Sequence, residues 1–195
     1  MLTKKFSALS AGFALAGSAL LMATSAAHAQ QTVVPAQSEI GFVSKQMGVP
    51  VEGKFKKFDA QVSFDPAKLA TSKVAFTIDT ASATLGVKET DVELPKAVWF
   101  NVPKFPQATF QSSAIKSVGA GKYEVAGKLS IKGASQDVVV PVTLTQSGAT
   151  TTAQGSFPIK RLTFKIGENE WADTSMVADE VQVKFKLALT GVPKI

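Results

Sequence analysis

Cysteine is absent from this chain of 195 residues, and histidine occurs once, at His28. Without Cys there is no disulfide, no thiolate nucleophile and no sulfur-bound metal. His28 falls inside a segment that reads as a removable export signal, so the expected mature chain also lacks the usual proton shuttle near neutral pH. Polar aromatics are scarce, with one Tyr and two Trp beside 13 Phe. The one long apolar run, the 12 residues Ala11 to Met22, is shorter than the roughly 20 residues of a spanning helix. Lys4 and Lys5 precede it and Ala27-His28-Ala29 follows, the layout of a signal peptide cut after Ala29. The expected division is therefore 1–29 as cleaved signal and 30–195 as one exported domain, periplasmic or secreted.

Removing Lys4 and Lys5 lowers the formal charge from +6 to +4. The cations are spread among acids, which argues against nucleic acid as a partner. The same balance is compatible with weak, transient contact with a membrane surface.

What the chain has in abundance is period-two alternation, the mark of half-buried strands. Val181, Val183, Phe185, Leu187 and Leu189 share one face, opposite Gln182, Lys184 and Lys186. Tyr123, Val125, Gly127, Leu129 and Ile131 repeat the pattern, as do Val138 to Leu144, Val74 to Ile78 and Phe58 to Phe64. Turn signals at Asp65-Pro66, Gly119-Ala120-Gly121, Lys132-Gly133 and Ser147-Gly148 separate the runs. About eight strands result: 38–44, 51–64, 73–79, 107–117, 121–132, 137–146, 150–159 and 178–190. The spacing predicts an antiparallel meander closed as a sandwich or a barrel. Two segments break the rhythm, 81–106, with a helical turn near Val87 to Leu94, and 160–178.

Catalysis has little to work with. Glu89, Asp91 and Glu93 cluster in the first irregular segment, and Glu168, Glu170, Asp173, Asp179 and Glu180 in or beside the second. A hydrolase built on such acids needs two carboxyls held at a fixed separation; a solvated charged surface is the plainer reading. No G-x-S-x-G elbow, phosphate loop or calcium loop occurs. The expectation is a binding protein, with no enzyme activity, metal or cofactor.

Several segments, in order along the chain, resemble the YceI family of exported lipocalin-like proteins. They are Ser38-Glu39-Ile40-Gly41-Phe42 with Met47-Gly48-Val49 and Val51 to Phe55; Asp65-Pro66 with Lys73 to Ser82; and Trp99-Phe100-Asn101-Val102-Pro103-Lys104-Phe105-Pro106-Gln107-Ala108-Thr109-Phe110. Gly127 to Gly133 and Val177 to Val181 complete the series. The resemblance implies an extended eight-stranded antiparallel barrel around an elongated apolar cavity. Such a cavity would hold a long-chain amphiphile such as an isoprenoid quinone or a polyprenyl phosphate. Gln46 and Lys132 stand where the family frequently has His, which implies a different headgroup preference.

Strand parity nominates Phe42, Phe58, Val62, Phe76, Ile78, Trp99, Phe100, Phe110, Leu129, Ile131, Val140, Trp171, Val183 and Phe185 as the lining. Lys132, Lys160, Arg161 and Lys165 are the cations nominated for a phosphate or quinone oxygen. The expected partner is thus a long-chain lipid or isoprenoid, and assembly as a homodimer stays open. Three competing readings remain: a hydrolase acting on such lipids, a small outer-membrane barrel, and a structural barrel with a solid core. The last turns on whether the interior is filled.

Overall fold

Alternating side chains drive most of the chain into antiparallel strands, because each run buries one face and wets the other. In the computed structural model, which describes residues 31–195, the chain begins with β1 (Thr32–Val33), β2 (Glu39–Gln46), β3 (Val49–Phe55) and β4 (Phe58–Ser63). Then come β5 (Lys73–Asp79), β6 (Ala83–Thr84), the one-turn helix α1 (Lys88–Asp91) and β7 (Gln107–Gly119). The last four are β8 (Lys122–Ile131), β9 (Ala134–Ser147), β10 (Thr150–Lys160) and β11 (Glu180–Thr190). The expected signal segment lies outside the described residues.

All strands belong to one sheet in the order β4-β5-β7-β8-β9-β10-β11-β2-β3-β6, with β1 added to β11. β4 begins this path and β3 stands near its end, yet only Lys56 and Lys57 separate them in sequence. The expected single strand 51–64 is therefore one strand folded at a corner, and that corner joins the two ends of the curled sheet into a barrel. Buried Ser82 secures it: its hydroxyl accepts from the Lys57 N–H (3.0 Å), and its carbonyl accepts from the Lys56 N–H (3.1 Å). Counted this way, the eight expected strands are the eight long strands of the barrel.

An irregularity in β7 keeps apolar residues inside. β7 changes register between Ser112 and Ala114, so Ala108 and Phe110, at even positions, and Ile115, at an odd one, are all buried. The β2–β3 and β8–β9 hairpins close through two-residue turns, Met47-Gly48 and Lys132-Gly133, with positive φ at all four residues, the twist-matched geometry for such hairpins.

The barrel's ends differ. At one end the β2–β3 hairpin meets the connections 80–106 and 161–179: Gln46 bridges Val177, and the Met47 N–H donates to Met176 O at 2.8 Å. The Gly167 N–H donates to Val98 O at 2.8 Å there, so the two long connections brace each other. The opposite end has short turns and the described termini. Gln31 ties to Phe64 through Nε2 to O (2.7 Å) and N–H to Oε1 (2.8 Å), and Gln146 Nε2 donates to Val192 O at 3.3 Å.

Candidate functional site

A barrel this size fills its lumen if every inward residue is large, and three strand glycines prevent that. Gly53 lies directly across from Phe42, and Gly155 directly across from Phe185. A Cβ on Gly53 would stand 2.3 Å from Phe42 Cζ, on Gly127 2.5 Å from Phe110 Cζ, and on Gly155 2.7 Å from Phe185 Cζ. Each ring therefore lies against the wall in the space of an absent side chain rather than across the lumen.

The space left is a cavity of about 430 Å³, within the range of about 300–1,000 Å³ usual for small-molecule sites. Its wall is nearly continuous hydrocarbon from Phe64, Ile115 and Val192 at the short-turn end to Trp99, Phe100, Ile166 and Trp171 at the loop end. The aromatics interlock: Phe42 on Phe55 at 5.6 Å, Phe55 on Phe100 at 5.9 Å, Phe64 on Tyr123 at 5.2 Å and Trp99 on Trp171 at 5.4 Å.

Polar wall residues other than Tyr123 gather at the loop end: Ser44, Gln46, Glu89, Thr90, Glu93 and Arg161. Glu89 and Thr90 are exposed as well as wall-forming, which makes α1 part of a mouth.

Of the nominated lining, Phe42, Val62, Phe76, Ile78, Trp99, Phe100, Phe110, Leu129, Ile131, Val140, Trp171, Val183 and Phe185 all stand in the cavity wall. Phe58 does not. Placed just past the Lys56–Lys57 corner, it packs against the smaller cluster of Ile40, Ala153, Leu187 and Leu189. Wall residues not nominated include Ile40, Phe64, Tyr123, Phe157, Ile159 and Val181. The alternation read in β8 and β11 included Tyr123 and Val181; nothing in the pattern distinguished wall from solid core.

The nominated cations are placed differently. Lys132 is 5% exposed and points into protein: its Nζ donates to Lys165 O (2.5 Å) and to Glu168 Oε2 (2.9 Å). It stands in the left-handed region at a hairpin turn, outside the cavity wall. Lys160 is exposed, 3.8 Å from Glu180 Oε2, and Lys165 is exposed with its carbonyl held by Lys132. Arg161 alone reaches the wall.

Arg161 is 2% exposed, and its guanidinium is fully engaged by backbone carbonyls. Nε donates to Ala178 O, Nη1 to Ile166 O and Gly167 O, and Nη2 to Trp171 O and Val177 O, at 2.6 to 3.1 Å. All five donors are thereby used. Burial pushes its pKa down while the nearby Asp179 opposes that shift. Arg161 is the internal strut of the loop 161–179, with no donor left for a headgroup.

The acids are also partly engaged. Asp91 accepts from Thr84 Oγ1 (2.5 Å) and from the Leu85 N–H (2.6 Å), which hold it below the ordinary carboxylate range. Glu93 pairs with Lys96 at 2.5 Å, and Glu168 with Lys132. Among the described residues no group of His, Cys, Asp and Glu is arranged to hold a metal ion.

A family model described as the YceI-like domain matches residues 31–189. The chain belongs to the YceI-like family. Similar members include a UPF0312 protein of Azotobacter vinelandii, 35% identical over 144 residues and covering 72% of each chain. Another, from Photorhabdus laumondii, is 34% identical over 161 residues, covering 77% of this chain and 83% of its own. Among solved structures, Burkholderia cenocepacia BcnA is 54% identical with a TM-score of 0.78, covering 80% of this chain and 98% of BcnA. A YceI protein of Campylobacter jejuni is 26% identical at a TM-score of 0.65, covering 71% and 83%. A polyisoprenoid binding domain from Saccharophagus degradans shares the fold at 15% identity and a TM-score of 0.68, covering 84% and 99%. The YceI barrel is thus this chain's fold, and the expected lipocalin-like antiparallel architecture is the one observed.

Proposed function

We propose that this YceI-like protein is an exported, periplasmic carrier or sequestering protein that encloses the tail of a long-chain isoprenoid-type amphiphile. The observation that carries the reading is a hydrocarbon-walled cavity of about 430 Å³ whose polar wall groups, Tyr123 apart, gather at the loop end. The tail lies along Phe42, Phe76, Phe110 and Phe185, and the head rests between Ser44, Gln46 and α1. The Saccharophagus degradans neighbour, a polyisoprenoid binding domain, supports the same ligand class.

The energetics need no reactive group. Each buried methylene contributes about 0.8 kcal/mol, so ten enclosed carbons yield on the order of 8 kcal/mol against association costs of at least about 4 kcal/mol. Export rests on the Lys4-Lys5, apolar and Ala27-His28-Ala29 pattern of the N-terminus.

Protein isolated from the periplasm of its exporting host, extracted with organic solvent and analysed by mass spectrometry, is expected to release one long-chain amphiphile. Delipidated protein is expected to take up farnesol with a change in the fluorescence of Trp99 and Trp171, the only two tryptophans. Empty extracts together with no uptake would overturn the reading.

A further inference from the structure

The carrier reading leaves the head open between a phosphate and an uncharged group, and the mouth distinguishes them. Of the cations nominated for an anionic head, Lys132 is committed to Glu168 and the Lys165 carbonyl and Arg161 to five backbone carbonyls, while the exposed Lys165 side chain stands outside the wall. Lys160 lies toward Glu180, outside the wall. The other ionisable wall groups at the loop end are acids, Glu89 and Glu93. Lys96 pairs with Glu93, whereas no ion pair reaches Glu89 among the described residues. Hydrogen-bonding capacity is nevertheless present in Ser44, Gln46 and Thr90.

We propose that this cavity takes amphiphiles with an uncharged polar head and discriminates against those with an anionic head, with Glu89, the acid of the mouth that no cation pairs among the described residues, as the residue that sets the preference. This rests on the carrier reading. The cavity is the site; Glu89 fixes the sign of charge it admits. A phosphate monoester carries nearly two negative charges near neutral pH. Seated at this mouth it would lie beside carboxylates with no free guanidinium or ammonium among the wall groups, whereas a hydroxyl or quinone oxygen can bond with Gln46, Ser44 or Thr90 without that repulsion.

The test uses two probes with the same tail, farnesol and farnesyl monophosphate, titrated into the delipidated protein at low ionic strength by tryptophan fluorescence. Farnesol is expected to bind at least about ten-fold more tightly, the scale of a dianion held a few ångströms from unpaired negative charge in a water-like dielectric. The variant Glu89→Gln, which leaves the Glu93–Lys96 pair intact, is expected to narrow the gap to about three-fold or less, chiefly by improving phosphate binding. Added salt is expected to narrow the gap in the parent but not in the variant. Phosphate binding as tightly as farnesol, or a gap that survives both changes, would overturn the proposal and leave the carrier reading standing. If neither probe binds, the carrier reading falls as well.

Discussion

Replacing Gly53 by Ala tests whether the lumen is hollow because of its glycines. The added Cβ would sit 2.3, 2.6 and 2.8 Å from Phe42 Cζ, Cε2 and Cε1. Contacts this short cannot persist, and all three are to one ring, with no backbone atom among them. The ring must therefore move, and the cavity is the space open to it. Overpacking of this kind costs about 1–3 kcal/mol. The reduced freedom of the unfolded chain offsets up to about 1 kcal/mol, since Gly53 is not in the left-handed region. Thermal unfolding should fall by no more than about 10 °C, at roughly 2–4 °C per kcal/mol for a domain of this size.

Binding should suffer more than stability. A phenyl ring turned into the lumen displaces roughly three tail carbons, and at about 0.8 kcal/mol each the loss is about 2.4 kcal/mol, or on the order of 60-fold in affinity. Titration of isoprenoid alcohols of increasing length, read by tryptophan fluorescence, should show the loss growing with tail length. Adding Phe42→Leu to Gly53→Ala should restore most of the long-chain affinity, a coupling that a double-mutant cycle isolates. If Gly53→Ala lowers stability while long-chain affinity stays at the parent value, the glycines do not keep the lumen open.

Arg161→Lys should destabilise by about 3–5 kcal/mol, because an ammonium with three donors replaces a fork that satisfies five buried or part-buried carbonyls. Hydrogen exchange should accelerate across 161–178, and a melting temperature within about 2 °C of the parent would refute the strut. Lys132→Met should cost about 1–3 kcal/mol of stability through the lost ties to Glu168 and Lys165. Its farnesyl monophosphate affinity should stay within two-fold of the parent; a larger loss would return Lys132 to the headgroup. Asp91 has a lowered pKa, so its hydrogen bonds to Thr84 and Leu85 stabilise the fold above the ordinary value of about 3.9 and fade as pH falls through the folded-state value. Asp91→Asn should therefore melt below the parent at pH 7 and converge with it in acid; a gap independent of pH would contradict this.

The strands were legible because alternation encodes burial directly, and even the corner left a trace. Val51, Gly53 and Phe55 sit at odd positions and Phe58, Val62 and Phe64 at even ones, so an unbroken strand 51–64 could not have faced them all inward. The parity change between Phe110 and Ile115 likewise marks the irregularity in β7. Parity rightly turns Phe58 to the same face of β4 as Val62, but parity does not show that it fills the space beside Ile40, Ala153, Leu187 and Leu189 rather than lining the cavity. The cations are a different case. Lysine and arginine near a mouth suggest an anion site, but sequence does not show that Arg161 meets five carbonyls or that Lys132 is held by Lys165 O and Glu168. Hollowness left only a faint signal: inward glycines opposite phenylalanines, which require the strand register before they can be paired.

The two ends of the barrel together argue for how a tail would be held. At the short-turn end Gln31 bonds the Phe64 backbone twice, and Val192 and Leu189 stand in the wall, so hydrocarbon meets no charged group there. At the loop end the backbone leaves regular strand pairing, and its carbonyls would be costly to bury unpartnered. Arg161 satisfies five of them from within, and Lys132 a sixth. The same cations that hold the loops over the lumen are thereby withdrawn from it. One arrangement thus builds an entrance of irregular backbone and leaves that entrance with hydroxyl, amide and carboxylate groups but no free positive charge among the wall residues.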